Sequence, residues 1–154
     1  QGDYRLMQDG NLGPFDDKSQ DLVLAVFTFD NIPTGARKIK ILNEIRRVLT
    51  PEGKLVMLVS APEIYTHEWA SFSTRDFPEN KNAKSGDIVR IIQTDIEDKR
   101  PVEDVLWSDD AYQEIFTGTG FQLVSTYKPL AKESEPFAWV NETRIAPWVI
   151  YVLK

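Results

Sequence analysis

The chain has 154 residues, a formal net charge of −6, no cysteine, and 42% hydrophobic against 27% charged residues. That length and apolar content suit one domain with one core, and with no cysteine there are no disulfides, thiolate nucleophiles or cysteine-ligated metals. The acidic balance argues against a nucleic-acid partner, which needs a dominant basic surface. No run reaches membrane-spanning length and no signal pattern opens the chain, so no membrane partner is expected and cytoplasm is the default location.

In chain order, Tyr4 to Gln8 has the pattern of a short strand, and Asp9-Gly10-Asn11-Leu12-Gly13-Pro14 is a dense turn signal before Phe15. An α/β domain ordinarily begins with its own strand and glycine turn, so the expectation is that an N-terminal portion of the natural protein has been cut away. Next, Asp21-Leu-Val-Leu-Ala-Val-Phe-Thr-Phe29 is a nearly unbroken apolar run that suits a strand covered on both faces. Over residues 36–49, Ile41, Leu42, Ile45, Val48 and Leu49 recur at helical spacing, with Lys38, Lys40, Glu44, Arg46 and Arg47 assigned to the outer face. Pro51 and Glu52-Gly53 give a stop and a turn, and Lys54-Leu-Val-Met-Leu-Val-Ser60 is a second buried strand. Strand, helix and strand make one parallel βαβ unit.

The pattern then changes. Residues 61–84 lack periodicity and predict a short helix near 64–72 inside a long connection. Residues 87–94 and 101–107 read as an antiparallel hairpin, with Arg90 and Arg100 as either anion-binding or merely exposed charges. Ser108 is a good N-cap for a helix that Gly118 or Gly120 ends, and two strands follow at 121–127 and 147–153, the last antiparallel. Between them lies a polar loop carrying Phe137 and Trp139.

Taken together, Asp9-Gly10-Asn11-Leu12-Gly13-Pro14-Phe15-Asp16, Asp21-Leu-Val-Leu-Ala, Ile41-Leu-Asn-Glu-Ile-Arg-Arg-Val-Leu49, Thr50-Pro-Glu-Gly53 and the closing Gly120-Phe121 with two strands resemble the C-terminal half of class I S-adenosylmethionine-dependent methyltransferases. The resemblance implies a Rossmann-like, mostly parallel α/β sheet with an antiparallel C-terminal strand, beginning near the family's third strand and carrying a β-hairpin insertion at about 61–107. It implies S-adenosylmethionine as cofactor and a small-molecule methyl acceptor. The family's glycine-rich turn and the acidic residue that holds the ribose are not found in these residues, so this chain is expected to bind the cofactor weakly and to be inactive by itself.

Carried over residue by residue, Asp9 matches the side chain that accepts from the adenine amino group, and Gly10 offers its N–H to the ring. Val26 and Phe27 match the strand end that lines the sulfonium, and Asp30 and Asn31 the positions that face substrate. Asn11 and Glu52 depart from the family's usual acidic residue and glycine. Each position has a plainer alternative. Asp9 suits a turn aspartate, Asp30 and Asn31 suit helix-leading caps, and Val26 and Phe27 suit core. His67, the only histidine, reads as packing or surface, or as a general base with Asp30 as the other candidate; no metal cluster is expected around it. The loop aromatics Tyr65, Trp69, Phe72, Trp107, Phe137 and Trp139 either wall a substrate pocket or staple loops to the core.

Two competing readings accompany this one. A non-catalytic interaction domain would pair two copies through a bare edge of the 22–29 strand, while a nucleotide-dependent oxidoreductase is disfavoured by the antiparallel final strand.

Overall fold

The structure is a computed structural model that describes residues 2, 4–7 and 10–154. Strand β1 (Gln20–Val26), helix α1 (Gly35–Val48) and strand β2 (Leu49–Ser60) form the expected parallel unit. Thr34 caps α1, its Oγ1 accepting from the Arg37 N–H at 3.2 Å, and Arg46 and Arg47 sit in the last turn where the helix dipole favours cations. The anticipated stop and turn at residues 50–53 is a bulge within β2: the β1 register jumps there from Leu49 to Lys54.

Residues 61–107 build a second, smaller sheet of β3 (Phe72–Ser73), β4 (Ile88–Gln93) and β5 (Val102–Val105), all antiparallel. Arg90 and Glu103 pair across the β4–β5 hairpin and Arg100 pairs with Asp98, so both arginines hold surface carboxylates. Helix α2 (Asp109–Gly118) follows, with Ser108 Oγ accepting from the Ala111 N–H at 3.3 Å. Strands β6 (Leu123–Tyr127) and β7 (Trp148–Leu153) then complete a four-stranded sheet of order β1-β2-β7-β6. Since β7 is antiparallel to both β2 and β6, those two run alike, and β7 alone opposes the rest.

The main core lies on one face of this sheet. Leu42, Ile45 and Val48 of α1 and Tyr112, Ile115 and Phe116 of α2 close over Leu55, Met57 and Val59 of β2 and Val149, Tyr151 and Leu153 of β7. The small sheet has its own cluster, including Ile64, Tyr65, Trp69, Val89, Ile91 and Leu106. Three expectations are corrected. β1 is an edge strand among the described strands and is covered on one face rather than both: Leu22, Leu24 and Val26 are 59%, 63% and 46% exposed, because they share the face opposite the one that α1 and α2 cover. Residues 64–72 hold no α-helix; Pro62–Tyr65 is a 3₁₀ turn, and the aromatics beyond it pack into the small sheet. Residues 4–7 have no regular structure, and Gln8 lies outside the described residues.

Candidate functional site

In open α/β sheets, ligands gather beyond the carboxyl ends of the parallel strands, and here the chain does unusual things at that end of β1. Phe27 still donates its N–H to the Leu58 carbonyl at 2.9 Å, but its φ is +51°, a left-handed conformation that costs a bulky residue energy and is concentrated at functional sites. Its ring meets that of Trp148 edge-on, centroids 5.9 Å apart. Trp148 in turn pairs with Ser60, the last residue of β2. Val26 and Phe27 are thus both partly exposed at the carboxyl edge of the sheet.

The next turn, Phe29–Asn31, sends neighbouring side chains in opposite directions. Asn31 is exposed and donates from Nδ2 to the Phe27 carbonyl at 3.4 Å. Asp30 is 5% exposed; both of its oxygens accept from the Ser60 N–H at 3.2 Å, and Oδ2 also accepts from Ser60 Oγ at 3.4 Å. It therefore ties the end of β1 to the end of β2. Burial pushes its carboxyl up to about 6, against the opposing pull of the Ser60 N–H and of Lys38.

Lys38 overturns its helix-surface assignment: it is 0% exposed. Nζ donates to the Phe29 carbonyl and lies 4.9 Å from the Trp107 ring centroid and 5.6 Å from that of Tyr112. Burial lowers its ammonium to about 8, opposed by Asp30. Tyr65 donates its O–H to Asp104 Oδ2 at 3.1 Å, and burial raises both groups. Trp107 Nε1 and Tyr112 O–H are buried without a hydrogen-bond partner among the described residues. Asp30, Lys38, Tyr65 and Trp107 thus form a buried polar seam between α1, the sheet end and the inserted small sheet.

Two cavities, each of about 400 Å³, include residues from this end of the sheet, Asn31 in one and Trp148 in the other. The first is lined by Gly10, Asn31, Ile32, Pro33, Arg37, Lys40 and Ile41. Gly10 has φ +69°, and a Cβ there would stand 2.2 Å from Ile41 Cγ1, so only glycine lets the loop lie this close to α1. The helix also clamps the loop: the Leu12 N–H donates to Glu44 Oε2 at 3.0 Å, while Arg47 donates to the carbonyls of Leu12 at 3.1 Å and Phe15 at 3.0 Å. Asp9 lies outside the described residues.

The second cavity is aromatic. Trp69, Phe72, Phe137, Trp139 and Trp148 line it together with Glu135 and Glu142. Of the loop aromatics singled out in the sequence, four meet here, while Tyr65 and Trp107 belong to the buried seam. Trp148 was not singled out, because it reads as the first residue of a strand. Glu142, 7% exposed, accepts from the N–H groups of Ala70 at 2.6 Å, Val140 at 2.7 Å and Asn141 at 3.0 Å; burial pushes its carboxyl up, but these donors outweigh it and hold it below the usual range. His67 lines neither cavity and contacts Thr66 Oγ1 at 3.0 Å and the Glu63 carbonyl at 3.1 Å.

Sheet order, the reversed β7 and the cavities at the carboxyl edge define a Rossmann-like α/β fold of the kind found in S-adenosylmethionine-dependent methyltransferases, a class whose cofactor is S-adenosylmethionine. Residues 2–57 match a family model described as a methyltransferase domain, which bears out the resemblance read from the sequence. A putative S-adenosylmethionine-dependent methyltransferase from Listeria monocytogenes is similar in structure, with TM-score 0.67 and 14% identity over 97% of this chain and 67% of that one. One from Methanosarcina mazei gives 0.62 and 13% over 97% and 65%. The PH0226 protein from Pyrococcus horikoshii OT3 gives 0.58 and 16% over 96% and 57%. No curated protein matches the chain. The chain thus spans roughly 57–67% of the length of these three structures.

Proposed function

We propose that the protein is an S-adenosylmethionine-dependent methyltransferase acting on a small-molecule acceptor, and that the cofactor lies along the carboxyl end of β1. The observation that carries this is the convergence at one sheet edge of the glycine-dependent Gly10–Asn31 cavity and the left-handed Phe27 against Trp148. The residues fit part of the cofactor. Gly10, Ile32 and Ile41 offer a close backbone and apolar walls to a flat base, with Asn31 as the polar neighbour, while Val26 and Phe27 would border the sulfonium end.

S-adenosylmethionine supplies an already activated methyl group, so the chain's residues have to position and desolvate rather than activate. Phe27 and the aromatic cavity exclude water. Asp30 works as a positioning residue, fixing the 27–31 turn through Ser60. If the acceptor has a proton to lose, Asp30, at the end of β1 with its carboxyl raised to about 6 by burial, is the candidate to accept it, and His67 acts only if its segment moves toward the sheet edge. On this proposal residues 1–154 are the C-terminal portion of one domain with an insertion at about 61–107. The cradle for the methionine end is then supplied from outside these residues, and this chain alone transfers methyl groups poorly or not at all.

Calorimetric titration of the full-length protein with S-adenosylmethionine tests the proposal. Saturable binding is expected, weakened at least about tenfold by Gly10→Val; no heat for the full-length protein sinks the enzyme reading. A second reading, a homodimer formed through β1, is favoured by the apolar side chains Leu22, Leu24 and Val26 on that open edge. Analytical ultracentrifugation is expected to show a dimer that Leu24→Lys dissociates, and a stable wild-type monomer contradicts it.

A further inference from the structure

The aromatic cavity has an electrostatic character that methyl transfer by itself does not require. Its walls carry two carboxylates, Glu135 and Glu142, and no lysine, arginine or histidine lines it. Glu142 is committed to three backbone N–H groups and acts as a fixed negative post. Glu135 differs: it is half-buried and, among the described residues, accepts only at Oε2, from the Lys132 N–H at 3.0 Å. Trp69, Phe137, Trp139 and Trp148 line the same cavity, with the Phe137 and Trp139 centroids 4.9 Å apart. Trp69 is locked by its Nε1 bond to the Ile64 carbonyl at 2.8 Å, whereas Trp139 Nε1 is buried without a partner among the described residues.

Aromatic rings attract a cation placed over their faces, more strongly when water is excluded. A carboxylate-bearing, base-free wall adds to that attraction and repels anions. The volume, about 400 Å³, is within the range of small-ligand pockets. Through Trp148 the cavity abuts Phe27 at the sheet edge.

We propose that this cavity binds an organic cation, an ammonium group carried on an apolar or aromatic body, with Glu135 and the faces of Trp139 and Trp148 receiving the charge. The proposal rests on the methyl-transfer reading only in taking that cation to be the methyl acceptor. An anionic acceptor would find no counter-charge in this lining, and a neutral one would gain nothing from the Glu135 charge.

Tryptophan fluorescence of the chain, without cofactor, is titrated with 2-phenylethylammonium, neutral 2-phenylethanol and anionic phenylacetate. The ammonium is expected to bind saturably and roughly tenfold or more tighter than the alcohol, with phenylacetate weakest. Glu135→Gln, a near-isosteric change that removes the charge, is expected to erase most of that preference, and Trp139→Phe to keep part of it. Equal binding of ammonium and alcohol, tighter binding of phenylacetate, or no saturation by any probe up to millimolar concentration overturns the proposal. Because no cofactor is present, selective ammonium binding stands even if S-adenosylmethionine titrations fail, and its loss counts against the cavity alone. Nα-acetyllysine amide, titrated alongside, assigns a protein lysine if it binds tighter than 2-phenylethylammonium and a free amine if it binds weaker.

Discussion

Asp30 and Lys38 show how much a single buried pair governs. Both titrate toward neutrality because burial penalises their charged forms. The Asp30 carboxyl is raised from 3.8 to about 6, so its contribution to stability is full below pH 4 and is lost as pH rises through 6, worth roughly 3 kcal/mol. The Lys38 ammonium is lowered from 10.5 to about 8, so its contribution is full above pH 10.5 and is lost as pH falls through 8. Denaturant unfolding across pH should therefore show a dip in stability between about 6 and 8. Asp30→Asn should flatten the acid slope, leaving the part that the raised Asp104 carboxyl contributes, and Lys38→Met should remove the alkaline one. The Lys38 position was legible in its spacing: it stands four residues before Leu42 and seven before Ile45, on the apolar face. Its charge concealed this, since the rings and the Phe29 carbonyl that receive it come from other segments.

Local signals carried the secondary elements. Ser108 accepts the N–H that its position promises, while the cap of α1 is Thr34 rather than Asp30 or Asn31; replacing Thr34 with Ala should cost about 1 kcal/mol in thermal or chemical unfolding. Gly120, at φ +75°, ends the α2 region where a Cβ would stand 1.9 Å from Arg46 Nη1, the group that donates to the Thr119 carbonyl at 2.8 Å. Gly120→Ala should therefore destabilise by more than about 1 kcal/mol, both through backbone strain and through the displaced guanidinium. The hairpin, the βαβ unit and the reversed last strand were readable because each rests on contiguous patterning. The 64–72 segment was not, because its aromatics are placed by the small sheet rather than by a local period. Nor was the exposure of β1, since an apolar run reports what a strand prefers to touch and not what lies beside it.

At the scale of the molecule, the two sheets meet where chemistry is proposed. The buried seam of Asp30, Lys38, Tyr65 and Trp107 fastens the insertion to the sheet end. The sequence resemblance pointed to the Gly10 side and the Phe27 end of this region, while the aromatic cavity needed the fold: Trp69 lies far in the chain from Phe137 and Trp148 and meets them only when the 128–147 loop folds back onto the insertion through Glu142 and Asn141. The central claim is that S-adenosylmethionine lies along the carboxyl end of β1. Amide NMR of the ¹⁵N-labelled chain, titrated with S-adenosylmethionine to millimolar concentration, tests it most directly. Shifts concentrated at Gly10, Phe27, Asn31 and Ile32 are the expected result; shifts confined to other parts of the chain, or none at all, would contradict it.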